Sequence, residues 1–127
     1  MIDYDYKFYY WGPYLHHTKV PSEISMEMLR RGERLKNRKD ADFREQLAGN
    51  IRHEYVFSKE DRKYFTINTM PLFNVFMKGL NDWSHVSKVL DTRVLKVYDL
   101  WINFMQAGDF NPMHTHGADY SFVLFLD

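Results

Sequence analysis

Two apolar runs in the last third of the chain constrain its fold more than any other feature. Residues Arg93 to Met105 and Tyr120 to Leu126 are dense in Val, Leu, Ile, Phe, Tyr and Trp at both odd and even positions. A strand covered on both faces has this pattern, whereas a half-exposed strand alternates apolar and polar residues. Because helical patterns precede these runs, we expect an α+β domain. Its helices should back an antiparallel β-structure in which the two runs are central strands.

Two histidines stand between these runs, one residue apart. The connecting segment Gly108 to His116 contains a Gly-Asp turn, an Asn-Pro pair and then His114 and His116. On extended backbone, residues i and i+2 point to the same side, so both imidazole rings can reach one point. Imidazole binds iron, zinc, nickel and copper, and we predict a transition-metal site with these two ligands. The alternatives are polar loop histidines without a role, one buried and one exposed histidine, or a remnant pair in a protein that has lost its chemistry.

The composition excludes several classes of protein. The 127 residues have the length of a single domain, and 45% apolar residues suffice for a core. The 17 basic and 17 acidic residues cancel, so no net field favours nucleic acid or a membrane surface. The absence of cysteine excludes disulfides and thiolate ligands. No uncharged run approaches the roughly 20 residues that span a bilayer, and we expect a cytoplasmic protein.

The first half of the chain contains turn and helix-start residues that divide it into short strands and helices. Gly12-Pro13 is a turn dipeptide, and Pro21-Ser22 suits a helix start. The predicted elements are a hairpin (Lys7 to Trp11 with Tyr14 to Val20), a helix (Glu23 to Lys36), a turn (Arg44 to Leu47) and a strand (Arg52 to Phe57).

Two further helices are predicted after this strand. Ser58 suits the N-cap of a helix that begins at the next residue, with Asp61 in its first turn. Thr69 followed by Pro71 predicts a second helix start, because proline is tolerated in a first turn. This second helix should extend to Val89 and pack on the sheet. Its apolar face consists of Phe73, Phe76, Leu80 and Trp83.

The final predicted strand has nothing to cover its outer edge. Tyr120 to Leu126 is uncharged, and only Asp127 follows it. Native proteins protect such apolar edges because exposed edges aggregate. We therefore expect either that the natural chain continues beyond Asp127 or that a homodimer partner completes the edge.

The residues from Leu100 to His116, continued by Ser121 to Leu126, resemble the first half of a double-stranded β-helix. They are most similar to iron(II)/2-oxoglutarate-dependent oxygenases encoded by marine bacteriophages. Further similarity lies at Met1 to Tyr4, Phe8, Trp11 to Pro13, Leu47 to Gly49 and His53 to Tyr55. The resemblance implies an incomplete jelly roll, with residues 1–127 as the N-terminal part of a longer oxygenase domain. It also implies Fe(II) and 2-oxoglutarate as cofactors and an organic small-molecule or peptide substrate.

In that family two histidines and one carboxylate hold the iron and leave positions open for 2-oxoglutarate and oxygen. The resemblance puts His114 at the first ligand position and His116 where most relatives have the carboxylate. Asp119 could supply a carboxylate instead. The distal histidine and the basic residue that binds 2-oxoglutarate are expected beyond Asp127, so residues 1–127 alone are expected to be inactive as an oxygenase. Asn103 could hydrogen-bond a cosubstrate inside such a barrel, and a buried asparagine that serves the strand ladder is the alternative.

The same residues also match part of the cupin motif. Gly108, five residues and then His-x-His form its opening. The glutamate expected about four residues later is absent, since Tyr120 and Ser121 stand there. A non-catalytic, cupin-like metal- or ligand-binding module is therefore the alternative function on the same architecture.

Overall fold

Two helices and two small antiparallel sheets make up the computed structural model, which describes residues 5–9, 14–83 and 95–126. The elements are β1 (Tyr6–Tyr9), β2 (Leu15–Thr18), α1 (Ser22–Glu33), 3-10 turns at Lys39–Ala41 and Arg44–Gln46, β3 (Glu54–Val56), α2 (Lys59–Trp83) and β4 (Trp101–Asn103). The expected α+β class is confirmed. No helix in the described ranges is long and apolar enough to span a bilayer.

The amino-terminal hairpin forms as predicted. Strands β1 and β2 pair antiparallel, with Tyr6 opposite Thr18; the predicted Gly12-Pro13 turn lies outside the described residues. Helix α2 packs on this hairpin through Phe76, whose ring centroid lies 5.5 Å from that of Tyr14 and 5.9 Å from that of His16.

The expected packing of this helix was instead on a sheet formed by the two carboxyl-terminal apolar runs. The helix does contact the second run, with ring centroids 5.8 Å apart for Phe73 and Phe122 and 5.2 Å apart for Phe76 and Tyr120, but that run forms no strand. The predicted end of the helix at Val89 lies outside the described residues.

Helix α2 runs without interruption through Pro71, so the prediction of a separate helix starting at Thr69 is wrong. A proline inside a helix lacks the N–H that would bond the carbonyl four residues earlier. That residue, Ile67, is 61% exposed, so water can reach this face of the helix. The opposite face is buried at Phe65, Thr69 and Leu72, and burial on both sides of the proline favours a continuous helix over a break.

The start of α2 is capped and tied to α1. The amide of Asp61 donates to the Ser58 hydroxyl at 3.1 Å, and the Asp61 carboxylate accepts from the Ser58 amide at 3.3 Å. This reciprocal pair is the predicted N-cap. Asp61 also accepts from Arg31 of α1 at 2.8 Å. Burial raises the pKa of Asp61, but the hydrogen bonds from Ser58 and Arg31 outweigh it, and the net pKa is lowered.

The core lies between the two helices and the β3–β4 sheet. Its buried members are Met28, Leu35, Ala41, Tyr55, Phe57, Phe65, Leu100 and Ile102. In the sheet, Tyr55 pairs with Ile102 and Glu54 with Asn103. A Cβ on Gly32 would collide with the Ile102 side chain, which shows how closely α1 approaches β4.

The predicted strand Arg93 to Met105 is much shorter in the structure. Regular strand is confined to Trp101–Asn103, and residues 93 and 94 lie outside the described ranges. Strand β3 is itself only three residues long, so only a short stretch of β4 can pair with it. Tyr98 and Met105 are 72% and 55% exposed. The apolar pattern therefore does not reflect cover on both faces.

The predicted strand Tyr120 to Leu126 has no regular secondary structure and pairs with no strand in the described ranges. Phe122 stacks on Phe65 of α2, with ring centroids 5.4 Å apart, and Leu124 packs against the core. Val123 and Phe125 on the alternate positions are 77% and 80% exposed. The segment thus lies on helix α2, and its pairing with a second copy remains a prediction.

Candidate metal centre

A tight turn after β4 reverses the chain toward the histidines. The Asp109 amide donates to the Gln106 carbonyl at 2.9 Å, and the Asp109 carboxylate accepts from the Gln106 amide at 3.0 Å. Gly108 within this turn has φ +88°, a conformation that residues with a Cβ adopt only under strain. The turn explains why the Gly-Asp dipeptide stands between β4 and the histidine segment.

The chain is anchored again directly after this turn. Asn50 and Phe110 form an isolated bridge, with N–H to carbonyl distances of 2.9 and 3.3 Å. Gly49 precedes this bridge with φ +119°, and a Cβ there would lie 2.7 Å from the Phe110 carbonyl oxygen. Residue 49 therefore has to lack a Cβ atom for the histidine-bearing segment to lie where it does.

The two histidine rings meet, as the sequence predicts. The Nε2 atoms of His114 and His116 are 3.1 Å apart. With metal–nitrogen bonds of about 2.1 Å, this separation subtends about 95° at a shared metal ion, near the angle between adjacent ligands of an octahedron. The spacing also suits an N–H···N hydrogen bond between the two rings.

The tautomer of His114 follows from its other ring nitrogen. Nδ1 lies 2.7 Å from the carbonyl oxygen of Pro112. A carbonyl can only accept, so Nδ1 carries the proton and Nε2 presents its lone pair. A backbone carbonyl on the far nitrogen is the usual arrangement that orients histidine ligands. On the other side, the Trp101 ring stacks on His116, with centroids 6.1 Å apart and an interplanar angle of 20°.

The histidines border a cavity of about 390 Å³. His114 and His116 are both exposed to solvent, and the buried Glu54 is also among the lining residues. The lining residues are Phe43, Gln46, Leu47, Ala48, Glu54, Asp99, Trp101, Asn111, His114, Thr115, His116 and Gly117. The wall is therefore partly apolar, and its ionisable groups are two imidazoles and two carboxyls.

Glu54 is a site residue that the sequence did not single out. It is 2% exposed, and its Oε1 atom accepts no hydrogen bond from the described part of the chain. Burial raises the pKa of this carboxyl, and the negative charges of Asp109 and Asp42 raise it further. The sequence feature that could have indicated Glu54 is its position as a charged residue immediately before the apolar run Tyr55 to Phe57 of the predicted strand.

The raised pKa of Glu54 predicts a pH-dependent stability. The folded protein holds this proton more tightly than the unfolded chain, whose glutamate pKa is about 4.3. The contribution is therefore fully present below about pH 4 and is lost as the pH rises through the raised folded-state pKa. Glu54→Gln stays neutral, so it should be more stable than wild type at pH 7.

Urea denaturation at pH 4 and pH 7 measures this difference. We expect the stability advantage of Glu54→Gln to shrink as the pH falls, while the exposed Glu45→Gln control changes little at either pH. An equal effect of Glu54→Gln at both pH values would contradict the proposed cause.

The other predicted site residues are not brought to the pair. In residues 5–9, 14–83 and 95–126, no group of three histidine, aspartate or glutamate side chains stands ready to hold a metal ion. Asp119 is exposed and does not line the cavity. Asn103 does not line it either; its Oδ1 atom is buried without a hydrogen-bond partner beside Glu54 in the ladder. The roles proposed for these two residues remain predictions.

The cavity lining fits a metal ion better than it fits 2-oxoglutarate. Two imidazoles whose Nε2 atoms lie 3.1 Å apart suit a transition metal. A dicarboxylate needs a cationic partner for its far end, and no lysine or arginine is among the described lining residues. Glu54 and Asp99 instead make the lining acidic.

In comparisons with known proteins, no family model, curated protein or solved structure matches this chain.

Proposed function

We propose that this chain binds a transition-metal ion through His114 and His116 and that its function is that of an iron(II)-dependent oxygenase. The observation that supports metal binding is the 3.1 Å approach of the two Nε2 atoms, with the His114 tautomer fixed by Pro112. The oxygenase activity and the jelly-roll architecture rest on the sequence resemblance. Iron, when bound, would supply oxygen chemistry, and the chain's own contribution would be to hold it through the imidazoles of His114 and His116, which line the cavity.

A non-catalytic metal- or ligand-binding module is the second candidate. The acidic lining of the cavity favours it, because no described lysine or arginine is placed to bind the far carboxylate of 2-oxoglutarate. The two candidates share the metal and differ in the cosubstrate. The reading frame beyond Asp127 separates them: a downstream histidine followed about ten residues later by arginine or lysine supports the oxygenase, and the absence of both supports the module.

Titration of the protein with Ni²⁺ tests metal binding itself. Two imidazoles give modest affinity, so we expect a micromolar or weaker dissociation constant, about −8 kcal/mol at best. The His114→Ala, His116→Ala double variant should lose this binding, and the exposed His17→Ala variant on β2 should keep it. Affinity should also fall between about pH 8 and pH 6, because protons compete with metal for imidazole nitrogen. Unchanged affinity in the double variant would end the proposal.

A further inference from the structure

We propose that the cavity beside the histidine pair binds a small organic molecule with a primary ammonium group, and that Glu54 is the carboxylate that receives this group. Such binding uses strands β3 and β4 and does not depend on a metal ion at His114 and His116. Three features support it: an oxygen of Glu54 without a hydrogen-bond donor in the described part of the chain, negative charge around that oxygen, and aromatic rings in the cavity wall.

The register of the sheet places Glu54 on the cavity side. Directly opposite residues of an antiparallel pair project to the same face, and residues two apart on one strand share a face. Glu54 is opposite Asn103, which is two residues from Trp101. Tyr55 and Ile102 pair on the other face and belong to the core. Glu54 and Trp101 both line the cavity, so the buried carboxyl lies on the face of the sheet that borders it.

Among the described residues, no group supplies Glu54 Oε1 with a hydrogen bond. Glu54 is 2% exposed, so water reaches this side chain poorly. The side-chain oxygen of Asn103, the residue opposite in the ladder, is also buried without a donor in residues 5–9, 14–83 and 95–126. A buried acceptor without a donor costs folding free energy. A ligand with several N–H groups would remove part of that cost when it binds.

The charges around Glu54 favour a cation over a neutral donor. Burial raises the pKa of Glu54, and the negative charges of Asp109 and Asp42 raise it further. Arg44 pairs with Asp42 and Arg52 lies 3.4 Å from Asp109, but no lysine or arginine is among the described lining residues. A water molecule can donate to Glu54 without offsetting this negative charge. An ammonium group has three N–H donors and also brings a positive charge, which stabilises the ionised carboxyl.

The cavity wall suits the organic part of such a ligand. Phe43 and Trp101 line the cavity, and the face of an aromatic ring attracts an ammonium group. The volume of about 390 Å³ is typical of a small-molecule site. Asp99, which is exposed, adds a second carboxyl to the wall. We therefore expect an ammonium group attached to an apolar body, carried either by a free amine or by the lysine side chain of a peptide.

Calorimetric titration of the protein without added metal tests this site with ligands of one aromatic body. Benzylammonium has a positive charge and N–H donors, benzyltrimethylammonium has the charge without the donors, and benzoate has the opposite charge. We expect benzylammonium to bind with a millimolar dissociation constant and the other two to bind at least about tenfold more weakly. Equal binding of benzyltrimethylammonium or benzoate would overturn the proposal.

A lysine derivative distinguishes the two sources of the ammonium group. Nα-acetyl-lysine methylamide has the side chain of a lysine within a peptide, and benzylammonium represents a free amine. Tighter binding of the lysine derivative identifies a peptide ligand, and tighter binding of benzylammonium identifies a small molecule. If neither amine binds the wild-type protein, the proposal is overturned.

Glu54→Gln tests the assigned carboxylate. This variant should be more stable than wild type at pH 7, so weaker binding cannot be explained by loss of the fold. We expect its benzylammonium affinity to fall by at least about tenfold. The exposed Glu45→Gln control removes the same charge outside the cavity lining and should stay within about twofold of wild type. Unchanged affinity in Glu54→Gln would mean that Glu54 does not receive the ammonium group.

The His114→Ala, His116→Ala double variant separates this site from the proposed metal site. It should lose Ni²⁺ and still bind benzylammonium within about threefold of wild type. Loss of benzylammonium in the double variant, with full binding in Glu54→Gln, would place the cation at the histidines and overturn the assignment. If the wild-type protein binds benzylammonium but no Ni²⁺, the proposed metal site falls and the ammonium site stands.

Discussion

Replacing Gly49 with alanine is expected to destabilise the protein by about 2–4 kcal/mol and to weaken metal binding several-fold. The backbone at Gly49 has φ +119°, where an alanine is strained, and its Cβ would lie 2.7 Å from the Phe110 carbonyl oxygen. That carbonyl accepts a hydrogen bond from the Asn50 amide at 2.9 Å. The steric collision would therefore disturb the bridge between Asn50 and Phe110, which anchors the histidine segment. Urea denaturation and Ni²⁺ titration of the same variant measure both effects.

Gly108→Ala is the matched control for this prediction. Gly108 also has a positive φ of +88°, but a Cβ there meets no atom within 4 Å. Its variant should show backbone strain alone, about 1–2 kcal/mol, with metal affinity close to that of wild type. Equal losses of affinity in the two variants would show that the bridge at Asn50 does not position the histidines.

Local patterns predicted the elements that local interactions stabilise. The reciprocal hydrogen bonds of Ser58 and Asp61 were visible as a capping pair three residues apart, and α1 followed from its apolar spacing. The prediction of a helix start near Pro71 was wrong because the free-energy cost of a proline inside a helix depends on how the helix packs. Phe65 and Leu72 on either side of Pro71 are buried, and this burial is a tertiary effect.

The two apolar runs do not form the predicted pair of central strands, and the reason is different. A strand needs a partner of matching length, and β3 provides only Glu54–Val56. The run that contains Trp101 therefore forms a short ladder, and the run that contains Phe122 lies on α2. Apolar residues at both odd and even positions predict burial, but they do not specify whether a sheet or a helix covers the segment.

At the site, sequence spacing predicted what two neighbouring residues do, and it missed what a distant strand contributes. His114 and His116 converge because they are two residues apart. Glu54 precedes them by some 60 positions, and its place in the same cavity follows from the pairing of β3 with β4. The resemblance drew attention to Asp119 because it is close in sequence, whereas the cavity is built by tertiary contacts.

Replacing Phe65 with alanine should cost about 3–5 kcal/mol of folding free energy, a large part of the 5–15 kcal/mol that is typical of a domain. Phe65 is 3% exposed. Its ring packs against Phe122 at 5.4 Å and Phe73 at 6.2 Å, so its loss leaves a cavity between α2 and the carboxyl-terminal segment.

The exposed Phe125 provides the same chemical change as a control. It lies in that segment but is 80% exposed, and Phe125→Ala should shift stability by no more than about 0.5 kcal/mol. A double-mutant cycle between Phe65 and Phe122 should return a coupling of about 0.5–1.5 kcal/mol for the stacked rings. Zero coupling, or equal losses for Phe65→Ala and Phe125→Ala in urea denaturation, would mean that this segment does not rest on helix α2. The exposed apolar positions of the segment would then be free for strand pairing instead.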